Sequence, residues 1–372
     1  MTTMTETKVR SIPWWTPLLA GDEAEHVRRV IDANYLNDGK VTTEFEERIA
    51  ALVGAKHGIA VTSGTAAIFL SLAAFDIGPG DEVIVPDMTF IATANAVRLA
   101  GATPVLVDVD PVTLNVSPAA VEAAITPRTK AVVPVHVSGR GADLEALTRI
   151  CREHRLIMVE DAAEGFMSVH NGRYLGTFGD TGCFSFSPNK TITTGQGGVI
   201  VTNDDGVRRR LRELKDQGRP VQGTGGDDIH HSVGFNFKLT NMQASVGLAQ
   251  LRVLPERLER AKLIYRTYRR ELAGVPGVRL PGFDVENGES PQWTDAVVDR
   301  RDELDVFLTE RGAHCRRFWL PIHTQAPYRE SDARFPNVTS VASKAIWLSS
   351  NLHMTEADVV DVCSLIREFY EA

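Results

Sequence analysis

Three short stretches of the 372-residue chain place reactive or charged side chains where an apolar run breaks off. Ser187-Pro188-Asn189-Lys190-Thr191 follows the apolar run GCFSF and precedes the glycine-rich Gly195-Gln196-Gly197-Gly198. A lysine between apolar segments is partly desolvated, which favours the neutral amine that attacks a carbonyl carbon. Most loop lysines are simply solvated, so Lys190 alone decides nothing. Glu160-Asp161-Ala162-Ala163-Glu164 follows LIMV, and a carboxylate ending a buried run either wants a cationic partner or caps the next segment. After GIAV, Thr62-Ser63-Gly64-Thr65-Ala66-Ala67 is a small polar turn opening a helix. Free amides and the positive helix end favour an anion such as phosphate there, while a serine cap with a tight glycine turn explains the same residues equally well. The GQGG glycines lack the spacing and the strand-before, helix-after context of a dinucleotide loop.

A lysine, a carboxylate and an anion cradle are together the requirements of one chemistry, pyridoxal 5'-phosphate (PLP) held as a Schiff base. The lysine holds the aldehyde and later shuttles a proton. The carboxylate keeps the pyridine nitrogen protonated, and the helix terminus takes the phosphate. An aromatic ring over the cofactor's open face would complete the pocket.

The elements that must position these residues follow from the apolar pattern. From about residue 57, short β-branched runs alternate with helical ones: GIAVTS, a helix from Gly64 to Phe75, EVIVP, a helix from Ile91 to Ala100, and PVLVDV. AVVPVH, a helix through 143–154, LIMVED, GCFSF and GVIVTN continue the series. Strands without apolar alternation are covered on both faces, so the expected fold is α/β, a mixed, mostly parallel seven-stranded sheet between helices. Helical spacing also marks 22–34, 42–53 and one long run from Asn241 to about Leu272. The expected division is an N-terminal arm (1–15), a large cofactor-binding domain (16–245) and a smaller C-terminal α+β domain (246–372). The latter should hold weak strands near 293–298 and 314–319 and helices near 301–312 and 355–370. Pro and Gly clusters at 274–291 and 325–337 read as surface loops.

Composition narrows the partners. Lys plus Arg total 40 against 48 Asp plus Glu, a net charge of −8 that disfavours nucleic acid and anionic lipid. No apolar stretch approaches the ~20 residues needed to span a bilayer, and MTTMTETKVR lacks the apolar core of a secretory signal, so the expected location is cytoplasmic. Cys151, Cys183, Cys315 and Cys363 are far apart and indicate neither a disulfide framework nor a metal site.

SGTAA at 63–67, GDEVIVPDMTFIATANAV at 80–97, GATPVLVDVD at 101–110, EDAAE at 160–164, GTFGDTGCFSFSPNKTITTGQGG at 176–198 and VGFNFKLTNMQASVGLAQL at 233–251 together resemble the DegT-type sugar aminotransferases. These are fold type I PLP enzymes, and the resemblance spans nearly the whole chain. It implies Lys190 as the Schiff-base lysine, Asp161 as the partner of the pyridine nitrogen and Glu164 facing the phenolic oxygen. It further implies that Gly64, Thr65 and Ser185 bind the phosphate with Ser63 as cap, and that Phe90 stacks on the cofactor. Asn236 matches an asparagine that reaches the phosphate of the neighbouring subunit, which implies a homodimer with composite sites. The family's usual Glu is Gln196 here, its frequent Tyr is Ser138, and its common Arg is Lys238. These departures bear on substrate contacts. GAHCRRFWLPIH at 312–323 adds Arg316 and His323 as substrate-side candidates, with an ordinary interlobe contact as the other explanation. The implied function is transfer of an amino group from glutamate or glutamine to a keto sugar. The wording is closest to perosamine-synthase-like enzymes acting on a nucleotide-linked 4-keto-6-deoxyhexose in polysaccharide or O-antigen biosynthesis. A 3-keto-hexose or keto-inositol is the alternative, and a non-catalytic PLP-binding regulator is a further one. A family branch that removes a hydroxyl has histidine in place of Lys190.

Overall fold

The seven apolar runs pair side by side in the computed structural model, which describes residues 11–220 and 229–371. They are β1 (His57–Val61), β2 (Glu82–Pro86), β3 (Thr103–Val107), β4 (Thr129–Val132), β5 (Ile157–Asp161), β6 (Thr181–Ser185) and β7 (Gly198–Thr202). Their order is β1-β7-β6-β5-β4-β2-β3. The β6-β5-β4-β2-β3 portion is parallel, and β7 runs antiparallel to both β6 and β1. Connection length explains this: parallel neighbours need a long crossover, whereas β6 and β7 are joined by the loop 186–197 that carries Lys190. Every residue of β2, β6 and β7 is buried, because helices cover both faces.

Strand alternation divides the core between those faces. Ile59 and Val61 join the cluster around α3 (Gly64–Ala74), while Ala60 turns toward α2 (Lys40–Val53). α3 is apolar nearly all round, with Ala66, Ala67, Ile68, Phe69, Leu70 and Leu72 buried, as a helix lodged beneath other helices must be. The remaining helices are α1 (Glu23–Asp32), α4 (Ala92–Leu99), α5 (Pro118–Ala123), α6 (Leu144–His154), α7 (Asp205–Lys215) and α8 (Asn241–Leu251), then α9 (Leu254–Glu271), α10 (Arg301–Glu310), α11 (Pro336–Ala342) and α12 (Glu356–Glu371). α5 and α7 do not stand out in the apolar pattern. The C-terminal lobe is an antiparallel sheet, β8 (Val278–Arg279), β9 (Thr294–Val298), β11 (Ala345–Leu348) and β10 (Arg316–Arg317) in that spatial order, packed against helices including α9.

Several expectations need correction. The run from Asn241 to Leu272 is two helices, broken at 252–253, with Pro255 in the first turn of α9 where its missing N–H costs nothing. α8 packs on α1 and α2 and α9 packs on α12, so a division at 245 falls inside α8 and the chain changes partners at Arg252–Val253. The proline and glycine clusters are not confined to the surface, since Phe283, Ser290 and Phe335 are buried. Residues 1–10 of the expected arm lie outside the described residues. The described part is tied down, with the Ile12 amide donating to Gly312 and Trp15 Nε1 to the Pro188 carbonyl in the Lys190 loop. Among the described residues, no helix is long and apolar enough to cross a membrane and no side-chain group is arranged to hold a metal ion.

One buried cation braces the large lobe. Lys215 Nζ donates to Glu46 Oε1 and to the Ala60 carbonyl, each at 3.1 Å, and lies 3.0 Å from Asp38. Glu46 also accepts from the Ala60 amide and pairs with Arg212. Removing one member of a buried ion cluster leaves charge uncompensated, so Lys215→Met should destabilise by about 3–5 kcal/mol. The check is a lower denaturant midpoint at unchanged slope.

Candidate active site

The carboxyl ends of β1, β5 and β6 open onto one cavity of about 300 Å³. In an open α/β sheet this is where ligands bind. Ser63 leaves β1 in an extended conformation and its Oγ accepts from the Ala66 amide at 3.1 Å, capping α3. The Gly64 and Thr65 amides, ahead of that cap bond, have no acceptor within the helix, and both residues line the cavity. Glycine at 64 allows a close approach: a Cβ there would stand 3.0 Å from the Ser185 Cβ, at the end of β6. Close approach of these two strand ends brings the Ser63, Thr65 and Ser185 side chains to one spot.

Asp161 ends β5, and its buried carboxylate accepts from Thr93 Oγ1 at 2.7 Å and the Ala163 amide at 3.2 Å. Burial pushes its pKa up, against the pull of those two hydrogen bonds and of the charges on Lys190 and His136. Glu160, its neighbour on β5, faces the other way. It accepts from the Gly176, Phe178 and Gly179 amides and meets His136 Nε2 at 2.9 Å, so it serves the scaffold.

Glu164 is raised chiefly by burial, with Lys190 opposing. Its Oε2 accepts from the Ser138 amide at 2.8 Å, which leaves Oε1 3.4 Å from Lys190 Nζ. Lys190 is held by its own turn, its amide donating to the Ser187 carbonyl, and its side chain is 11% exposed. The ammonium also sits 5.0 Å from the ring centre of Trp293. Phe90, 54% exposed, lines the opening.

The small lobe supplies the opposite wall: Trp293, Trp319, Trp347 and Arg316. Trp14 from the arm packs against them with tilted rings, 5.2 Å from Trp293 and 5.9 Å from Trp347. Arg316 lies over Trp14 and Trp347 at 4.9 and 5.7 Å and pairs with no carboxylate among the described residues.

The structure thus gathers Ser63, Gly64, Thr65, Phe90, Asp161, Glu164, Ser185, Lys190, Gln196 and Arg316 around one space. Other sequence candidates fall elsewhere. His323 does not face the cavity: its ring is buried, stacked on Phe335, with Nδ1 2.5 Å from Asp87 and Nε2 3.1 Å from Asp332. The contact instead fixes the segment after β2 that leads to Phe90. Lys238 is ion-paired with Asp216, outside the cavity, and Asn236 is exposed there too. Ser138 is buried behind Glu164. Thr93 and the tryptophans carry little sequence signal. Thr93 is one helical turn from Phe90 in FIAT, a spacing that places it at the same end of α4, but the tryptophans meet only through long-range packing.

An anion cradle, a buried carboxylate with lone pairs to spare and an amine, all on one ring-sized cavity, fit PLP. Comparison with known proteins agrees. Residues 17–367 match the DegT/DnrJ/EryC1/StrS aminotransferase family. The chain is 39% identical to the GDP-perosamine synthase of Caulobacter vibrioides over 362 residues, 95% of this chain and 96% of that protein. DesV of S. venezuelae, solved with a ketimine intermediate, superposes with a TM-score of 0.89 at 33% identity, covering 94% of this chain and 95% of that one. A Streptococcus pneumoniae sugar aminotransferase in its PLP form gives a TM-score of 0.91 at 25% identity, over 97% and 99%. The chain therefore belongs to the DegT/DnrJ/EryC1/StrS aminotransferase family and is a PLP-dependent transaminase.

Proposed function

We propose that this enzyme moves an amino group from glutamate, with glutamine as the other donor, to C4 of a nucleotide-linked 4-keto-6-deoxyhexose. The observation that carries amino transfer is the Lys190 amine 3.4 Å from Glu164 in the same cavity as buried Asp161. The near-full-length similarity to a GDP-perosamine synthase supports the choice of sugar.

Bound PLP supplies an electron sink for the bonds at the carbon bearing the amine. The chain's residues do the rest. Ser63, Gly64, Thr65 and Ser185 would take the phosphate, Phe90 would pack on the ring, and Asp161 would hold a proton on the ring nitrogen. Glu164 would serve the phenolic oxygen. Lys190 Nζ would anchor the cofactor and move the proton from the substrate carbon and back. Asn236, exposed and outside its own cavity, reaches the phosphate site of a second copy in a two-fold dimer. The reaction is placed in the cytoplasm.

Arg316 is held by indole faces rather than by a carboxylate, which leaves its donors for an anionic part of the substrate. Arg316→Ala should raise the KM of the charged substrate by about 10- to 100-fold, the value of a charge-assisted hydrogen bond, with a smaller change in kcat.

The test of function is a half-reaction screen. The enzyme is loaded with glutamate, then offered GDP-, UDP- and dTDP-linked ketohexoses and keto-inositols while the amine-form absorbance is followed. Fast return to the aldehyde form with a GDP-linked 4-keto-6-deoxyhexose is expected. No return with any keto sugar would defeat the reading.

A further inference from the structure

Ser138 sits at the junction of the two lobes, in the left-handed region at φ 53°, and is fully buried. Such a backbone persists in a non-glycine residue only where the surroundings over-determine it. Here four hydrogen bonds do so. Its amide donates to Glu164 Oε2 at 2.8 Å and its carbonyl accepts from the Gln292 amide at 2.8 Å. Its hydroxyl donates to Asp295 Oδ1 at 2.6 Å and accepts from Trp347 Nε1 at 3.0 Å. Asp295 is buried on β9 and its other oxygen accepts from Arg140 Nη2 at 2.6 Å. The next residue, Gly139, packs so closely on the small lobe that a Cβ would lie 2.3 Å from the Ser290 carbonyl oxygen.

One residue therefore holds both sides of the cavity. Its amide sets the large-lobe carboxylate that faces Lys190. Its hydroxyl, itself oriented by Asp295, sets an indole of the small-lobe wall. Trp347 is the hub of that wall, within 4.2 Å of Phe318, 4.8 Å of Trp319 and 5.0 Å of Trp293 between ring centres. Fixing its N–H fixes the ring plane, and with it the surface offered to a ligand.

We propose that Ser138 is a positioning residue for the sugar, its hydroxyl locking Trp347 so that the tryptophan wall is preformed for the hexose. This deepens the sugar-amination reading and rests on it only for the choice of substrate.

Ser138→Gly tests it cleanly. Glycine accepts the positive φ and keeps the amide to Glu164, so only the hydroxyl is lost. Trp347→Phe removes the N–H from the other side. In each, the KM for a GDP-linked 4-keto-6-deoxyhexose should rise about tenfold, with kcat within about threefold of wild type, as expected for one lost hydrogen bond acting on binding. The double variant should be no worse than the poorer single one, because both changes break the same link. Additive effects on KM would overturn the proposal. A merely structural role would lower the melting temperature and leave KM unmoved, which would also overturn it. A second readout needs no sugar: acrylamide should quench tryptophan emission more strongly in S138G than in wild type, and that increment should vanish in the W347F background. Unchanged quenching in S138G would overturn the positioning role. Failure of wild type to aminate any keto sugar would instead defeat the function proposed above and leave quenching to decide this point.

Discussion

Lys190→Ala should lower turnover by about 10⁴-fold or more, since it removes both the covalent anchor of the cofactor and the group that moves the proton. The geometry leaves no substitute. Lys190 Nζ is the amine facing Glu164 across the cavity, and Lys238 is engaged with Asp216 elsewhere. The fold should survive, because the Lys190 loop is held by its backbone and neighbours: the Lys190 amide to Ser187, the Thr194 amide to Phe186 and Arg257 to the Thr191 carbonyl. Circular dichroism and melting temperature should therefore stay near wild type while the rate collapses. Borohydride treatment of the loaded wild type should fix the cofactor to residue 190, as read by peptide mass. Amino transfer retained by the alanine variant would remove the basis of the functional reading.

Asp161→Asn should reduce kcat by roughly 10²–10³-fold, the range for deleting one preorganised electrostatic group. Covalent attachment of the cofactor should persist, because Lys190 is untouched. The distinction matters: loss of attachment in the asparagine variant would make Asp161 a structural residue. Thr93→Val gives the graded version. Burial raises the Asp161 pKa and the Thr93 hydroxyl is the largest influence holding it down. Removing that hydroxyl pushes the carboxyl further toward its protonated form, so the acid limb of the kcat profile should move to higher pH. A shift to lower pH, or none, would count against Asp161 working as a carboxylate.

Fold and site were unequally legible in the chain. All seven strands of the large sheet stand out as largely apolar runs, because burial on both faces favours apolar side chains at successive positions and leaves a near-continuous signal. The strands β8 and β11 do not stand out: the first is two residues long, and Ala345–Leu348 is too short to separate from a buried helix turn. α7 is hidden by its charges, since only Leu211, Leu214 and the paired Lys215 are buried along it. His323 misleads because GAHCRRFWLPIH resembles a family stretch on the substrate side, whereas its burial against Asp87 depends on a partner 236 residues away.

The sequence by itself determined the chemistry: a lysine, a carboxylate and a helix-opening turn each stand just past the end of an apolar strand run, and local rules suffice to read that. The tertiary structure decided what the chemistry acts within. Trp293, Trp319 and Trp347 form one wall with Trp14 packed against it, and Ser138 couples it to Glu164, only because the arm, the small lobe and the turn after β4 fold onto one another. Those contacts join residues up to hundreds of positions apart. They are set by packing and buried hydrogen bonds rather than by periodicity, so no local pattern announces them.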